Sequence, residues 1–211
     1  MNTPSAAVRT APGELLPLVM AGMSQAGFDA RPCEHEESER LAIACAAGSC
    51  TLTVSDHGHA VWDYYPGSPG DADPHLTADM ATTLLTGRPG PHPRLSRRNR
   101  RGGISFRGLV GIELKARGLT VELAVYTDED TFDAFAEIVA TAPGAGDETM
   151  VCVTDDGCLT WTRSYWPEAA AVPGSEPSDL MADPADVAAA IVVTVTRALS
   201  CLPANGQGHA A

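Results

Sequence analysis

The chain has 211 residues, 44% of them hydrophobic and 5% aromatic, and carries a formal net charge of −13. This length allows one large domain or two small ones, with a core built mainly from Ala, Val, Leu and Ile. The acidic balance disfavours nonspecific binding of nucleic acid or of an anionic membrane by the body of the protein, and no apolar run approaches the roughly 18 residues of a spanning helix.

No basic segment followed by a long apolar run opens the chain, so no secretory signal is expected. Six cysteines without an export signal read as reduced thiols rather than a disulfide framework, which predicts a cytoplasmic protein. Thirteen arginines against one lysine, with abundant Ala, Gly and Pro, mark a GC-rich genome and carry little functional information.

Residues 1–12 read as a flexible arm. Leu15, Leu16, Leu18, Val19, Met23 and Ala26 then recur at helical spacing, which predicts a helix over 13–27 stopped by Gly27. Residues 29–35 and 41–46 are short strand candidates. Leu52 and Val54 alternate with Thr51 and Thr53, which predicts a strand over 50–55. Asp56-His57-Gly58-His59 supplies a hairpin turn, and 60–65 return as the partner strand. Asp73-Pro74 is a helix opening, because Asp caps a helix start and Pro suits its first turn; that helix ends at Gly87. Residues 88–103 hold Pro89, Pro91, Pro93 and, between Arg94 and Arg101, five arginines, and read as an extended linker.

The second half repeats the plan. Residues 104–117 are a helix candidate weakened by Gly108 and Gly111 and ended by Gly118. Val121, Leu123 and Val125 alternate through a strand over 120–127. Residues 131–140 fit two patterns: Phe132, Phe135, Ala136 and Val139 have helical spacing, whereas correspondence with 41–46 predicts a strand, and the strand is preferred. Residues 149–154 and 159–165 form a second hairpin. Asp183-Pro184 opens a last helix to about residue 202, and 203–211 read as a tail.

The two hairpins share more than their order. Val54, Ser55, Asp56, Gly58 and Trp62 recur ninety-nine positions later as Val153, Thr154, Asp155, Gly157 and Trp161. Each copy runs on into aromatic residues and a proline, Tyr64-Tyr65-Pro66 and Tyr165-Trp166-Pro167. The expected fold is therefore α+β: two tandem pseudo-repeats, residues 13–87 and 104–202, each helix, antiparallel strands, helix, packed as one domain about a pseudo-twofold axis.

Chemistry is sparsely signalled. Cys33 with His35, Cys45 with Cys50, His57 with His59, and Cys152 with Cys158 lack the paired spacing of a structural zinc site, so no metal is expected. No nucleophile elbow and no phosphate-binding glycine loop is present, so neither a catalytic residue nor a cofactor is assigned. The acidic run around His35 reads as a charged strand edge.

Two features remain as partner sites. Six of the eleven aromatic residues sit at the strand ends, and alternation sends Trp62 and Tyr64 to one face and Tyr65 to the other. Trp62, Tyr65, Trp161 and Trp166 are candidate partner contacts, against the alternative that the tryptophans close the core. Arg97, Arg98, Arg100 and Arg101 in the linker suit an acidic protein surface or nucleic acid phosphates. The leading expectation is a non-catalytic protein-binding module, an adaptor, regulator or chaperone-like protein. The alternatives are a nucleic-acid-associated regulator and a hydrolase or transferase of unrecognised type.

Overall fold

The computed structural model describes residues 15–33, 40–45, 48–55, 59–67, 72–88, 104–127, 134–143, 149–165 and 183–202. The expected arm at 1–12, the four linker arginines, Trp166 and the tail at 203–211 lie outside the described residues.

Among the described residues four helices and eight strands follow in the order α1 (Leu15–Gln25), β1 (Ala30–Pro32), β2 (Arg40–Cys45), β3 (Gly48–Val54), β4 (His59–Tyr65), α2 (Pro74–Thr86), α3 (Phe106–Ala116), β5 (Thr120–Thr127), β6 (Ala134–Thr141), β7 (Thr149–Val153), β8 (Leu159–Ser164) and α4 (Pro184–Leu199). The α+β class expected from the periodicity is correct. All eight strands belong to one antiparallel sheet, in the order β1-β2-β3-β4-β8-β7-β6-β5. Each run of four strands is a meander joined by short connections, and the two meanders meet where β4 pairs with β8. At that junction Trp62 lies opposite Trp161 and Val61 opposite Thr162.

Local chemistry sets the element ends. Asp73 accepts a hydrogen bond from the His75 amide, and Asp183 accepts one from the Ala185 amide; a proline follows each cap. These caps satisfy amides that have no partner inside the helix. Gly27 and Gly118 adopt left-handed backbone at φ 88° and 82°. Past them the chain closes in the same way: Phe28 N–H donates to the Met23 carbonyl at 3.0 Å, and Leu119 N–H to the Leu114 carbonyl at 3.1 Å. The two hairpins also agree. Ser55 N–H donates to the His59 carbonyl at 2.9 Å, and Thr154 N–H to the Cys158 carbonyl at 3.1 Å.

The ambiguous stretch at 131–140 is the strand β6 (Ala134–Thr141), paired on both sides by β5 and β7. The short helical spacing of its apolar residues loses to the ladder hydrogen bonds that two neighbouring strands supply.

The helices cover one face of the sheet. Leu41, Ile43, Cys50, Leu52, Val54, Ala60, Trp62, Tyr64, Ile138, Ala140, Val151, Val153, Leu159 and Trp161 point toward them and are buried. They join Val19, Met23, Met80, Leu84, Val110, Leu114, Ile191 and Val195 in one core. The helix layer runs α1-α4-α2-α3, and α2 packs on β7 and β8 of the other meander. Gly22 on α1 admits Val192 of α4: a Cβ there would come within 2.8 Å of a Val192 methyl. Arg197 near the end of α4 donates to the Gly87 carbonyl at 3.0 Å, satisfying the C-terminal end of α2.

Candidate functional site

Trp62 and Trp161 are the largest side chains in the core and have no exposed surface. They cannot touch a partner while the protein is folded, so the expectation of partner contact is corrected for both. The alternation that set them on the helix side also put them beneath the helix layer, where α2 packs on β8. Trp62 stacks with Tyr64 two residues along the same strand, with ring centroids 6.3 Å apart and an interplanar angle of 19°. Neither indole N–H has a hydrogen-bond partner among the described residues.

Tyr65 falls on the opposite face and is 45% exposed, as alternation predicts. No described helix lies against that face. Register places Thr51, Thr53, Val61, Asp63, Thr160, Thr162, Met150, Cys152 and Val139 on it, across β3, β4, β8, β7 and β6, all half-buried by their neighbours. Thr160 donates to Asp63 Oδ1 at 2.8 Å and Thr51 to Asp63 Oδ2 at 3.4 Å, so the carboxylate at the centre is held by hydroxyls. Arg40 Nε reaches the Thr53 hydroxyl at 3.2 Å. The middle of this face is thus mainly Thr, Val, Met and Cys around the Asp63 carboxylate, with Arg40 beside Thr53 and Glu137 beside Cys152 on the same face, on a chain whose net charge is −13.

The thiols of this region are poor nucleophiles. Burial, aided by Glu137, pushes Cys152 up to about 12. Burial together with the hydrogen bond to Asp156 pushes Cys158 up to about 11. Burial also raises Cys201, with Asp79 adding to it. A thiol held protonated at neutral pH has little thiolate to attack a substrate or bind a soft metal. Among the described residues, no group of three or more His, Cys, Asp and Glu side chains is arranged to hold a metal ion.

Sequence reasoning missed a charge cluster in the helix layer. Arg117 has no exposed side-chain surface. Its Nη1 donates to Glu113 Oε2 at 2.8 Å and its Nη2 to Asp79 Oδ1 at 2.8 Å. His75 Nδ1 lies 2.7 Å from Glu113 Oε2, and its Nε2 lies 4.0 Å from Asp79 Oδ2. Two i,i+4 pairs, His75 with Asp79 on α2 and Glu113 with Arg117 at the end of α3, therefore interlock. That double spacing was the available signal. The groups are consumed by one another between two helices, which suits a structural clasp better than a site open to substrate.

The start of α3 is tied to the second hairpin. Arg107 N–H donates to Asp155 Oδ1 at 3.0 Å, its guanidinium lies 2.5 Å from Asp155 Oδ2, and Nη1 reaches the Ala136 carbonyl at 3.1 Å. On the helix side of β8, the Arg163 guanidinium sits 4.6 Å from the centre of the Tyr165 ring. Burial raises the Tyr165 phenol, with Arg163 pulling against it.

No described helix is long and apolar enough to cross a membrane. Comparison with known proteins returns no matching family model, no matching curated protein and no matching solved structure.

Proposed function

We propose that the chain is a non-catalytic, cytoplasmic protein-binding module whose docking surface is the helix-free sheet face around Tyr65. The observation that carries this reading is the pairing of an exposed tyrosine with a broad strip of mostly uncharged Thr, Val, Met and Cys side chains on a strongly acidic chain. Interface centres are depleted in charge and enriched in Tyr and Met, and a hydroxyl-lined sheet presents both donors and acceptors to a partner. The raised thiols and the mutually paired charges of the Arg117 cluster support the non-catalytic part of the reading.

The two meanders are proposed to be copies of one ancestral unit, related by a pseudo-twofold axis through the β4–β8 junction. The matching hairpin closures, the matching left-handed glycines after α1 and α3, and the Asp-Pro caps of α2 and α4 support it. Duplication would double the width of the sheet and hence of the docking face.

Affinity capture from the native cell with wild-type, Tyr65→Ala and Thr162→Arg chains tests the reading. Both variants change only the helix-free face. Loss of the same captured proteins from both, with unchanged circular dichroism and Tm, is expected. An identical captured set from all three chains would overturn it. Nucleic acid recovered with the wild-type chain, and lost when Arg97, Arg98, Arg100 and Arg101 become Ala, would favour the regulator alternative instead.

A further inference from the structure

The two ends of the sheet are built differently. β1 is three residues long, ends in Pro32, which has no N–H to offer, and carries the Arg31–Asp29 ion pair. Short length, charge and proline are the usual means of closing an edge to pairing. β5 has none of these protections. It runs eight residues, contains no proline and only one charged residue, Glu122, and among the described residues pairs on one side alone, with β6.

Its apolar side chains are also uncovered. Leu123 and Val125 are 62% and 63% exposed, although register puts them on the helix side, level with Ile138 and Ala136 of β6. α3 reaches over the start of the strand: a Cβ on Gly111 would touch Val121 at 3.6 Å and Ile138 at 3.7 Å. Further along β5, Leu123 and Val125 stay open, as does Ile112 on α3. Tyr126 is exposed on the other face of the strand, its phenol raised by Glu137.

We propose that β5 is a self-association edge, at which two copies of this chain pair β5 with β5 antiparallel about a twofold axis at Ala124. In that register Leu123 of each copy faces Val125 of the other on the helix side, and Glu122 faces Tyr126 on the opposite side. Each apolar residue then meets an apolar residue, and the two Glu122 carboxylates are not opposed. A twofold at Glu122 would set them against each other, which is destabilising. The chain already uses this kind of joint internally, where β4 and β8 meet antiparallel with Trp62 opposite Trp161. The result would be a sixteen-stranded sheet with all helices on one face, closed by an isologous contact. A single strand pair and its flanking side chains fall in the small class of interfaces, below about 1,200 Å², so association is expected on the order of micromolar concentrations. The net charge of −13 on each copy opposes it, so added salt strengthens it. This edge is separate from the helix-free face, and either proposal can fail without the other.

Sedimentation velocity of the full chain over roughly 1–200 µM, at about 0.05 M and 0.5 M NaCl, tests it; the low end brackets the micromolar class of small interfaces. The expected result is a shift from the 22.0 kDa monomer toward twice that mass, at lower concentration in high salt. Leu123→Lys and Val125→Lys should each hold the chain monomeric, with unchanged circular dichroism because both positions are exposed. Tyr65→Ala should dimerise like wild type. Hydrogen exchange should slow at the β5 amides as concentration rises. A monomer throughout, a dimer that survives both lysine variants, or β5 protected only by a foreign protein would each overturn the proposal.

Discussion

Replacing the two buried tryptophans singly and together perturbs the joint between the meanders directly. Trp62 and Trp161 have no exposed surface and lie opposite each other where β4 pairs β8. Truncation of a buried Trp to Ala costs about 3–5 kcal/mol from lost transfer energy and the cavity left behind. Because the two rings share neighbours across one strand pair, Trp62→Ala and Trp161→Ala should be non-additive, with a coupling of about 0.5–3 kcal/mol. Phenylalanine should be tolerated far better. Each indole buries an N–H without a partner among the described residues, a penalty of about 1–3 kcal/mol that Phe removes while keeping a ring. The net cost of Trp62→Phe is therefore expected below about 1.5 kcal/mol. Urea unfolding followed by far-ultraviolet circular dichroism measures all five chains without relying on tryptophan emission. Additive alanine costs below about 1 kcal/mol each, the size of an ordinary substitution, would refute the placement of these residues at the centre of one core.

Three further outcomes follow from the same structure. Arg117→Ala leaves Glu113 and Asp79 facing each other without their buried cation, and should cost about 3–5 kcal/mol in urea unfolding; a combined apolar replacement of Arg117 and Glu113 should recover much of it. Gly48 holds φ 139°, and a Cβ there would lie 2.1 Å from the Tyr65 carbonyl oxygen, so Gly48→Ala should cost at least about 1–3 kcal/mol and lower Tm, whereas Gly27→Ala, where a Cβ would meet nothing within 4 Å, should cost less. Cys152 and Cys158 should resist alkylation at pH 8, with labelling rising only as pH climbs toward about 11 to 12. Because the folded chain keeps these protons where the unfolded chain, near 9, releases them, both thiols make stability fall as pH rises from about 9 to 12. Rapid labelling of native protein at pH 8, read by peptide mass spectrometry, would contradict this.

Much of the local structure was legible because single residues dictate it. Asp73-Pro74 and Asp183-Pro184 can satisfy the first amides of a helix, and each does so. Leu52 and Val54 against Thr51 and Thr53 can sit only on opposite faces of a strand. Tyr65 was assigned to the face away from the core by the same parity. What could not be read was anything set by contacts distant in sequence. The alternation of β5 matched that of a half-buried strand, but no local pattern tells whether a helix arrives to cover Leu123 and Val125. The tryptophans were weighed as partner contacts because the large apolar and amphipathic side chains that close a core are the same types that make binding hot spots. The Arg117 cluster needed the α2–α3 packing to bring Asp79 and Glu113 together across thirty-four positions. The joint of β4 to β8, which makes one sheet of two meanders, has no signature beyond the hairpins themselves.

That joint carries the central claim, since the helix-free face spans both meanders only if the sheet is continuous. A paired Val61→Cys and Thr162→Cys substitution tests it, because these residues are direct cross-strand neighbours with side chains on the helix-free face. Mild oxidation and peptide mass spectrometry should then recover positions 61 and 162 linked within one chain, with native circular dichroism retained. Failure to link 61 to 162 while the folded signal persists, or links formed only between chains, would contradict the single sheet.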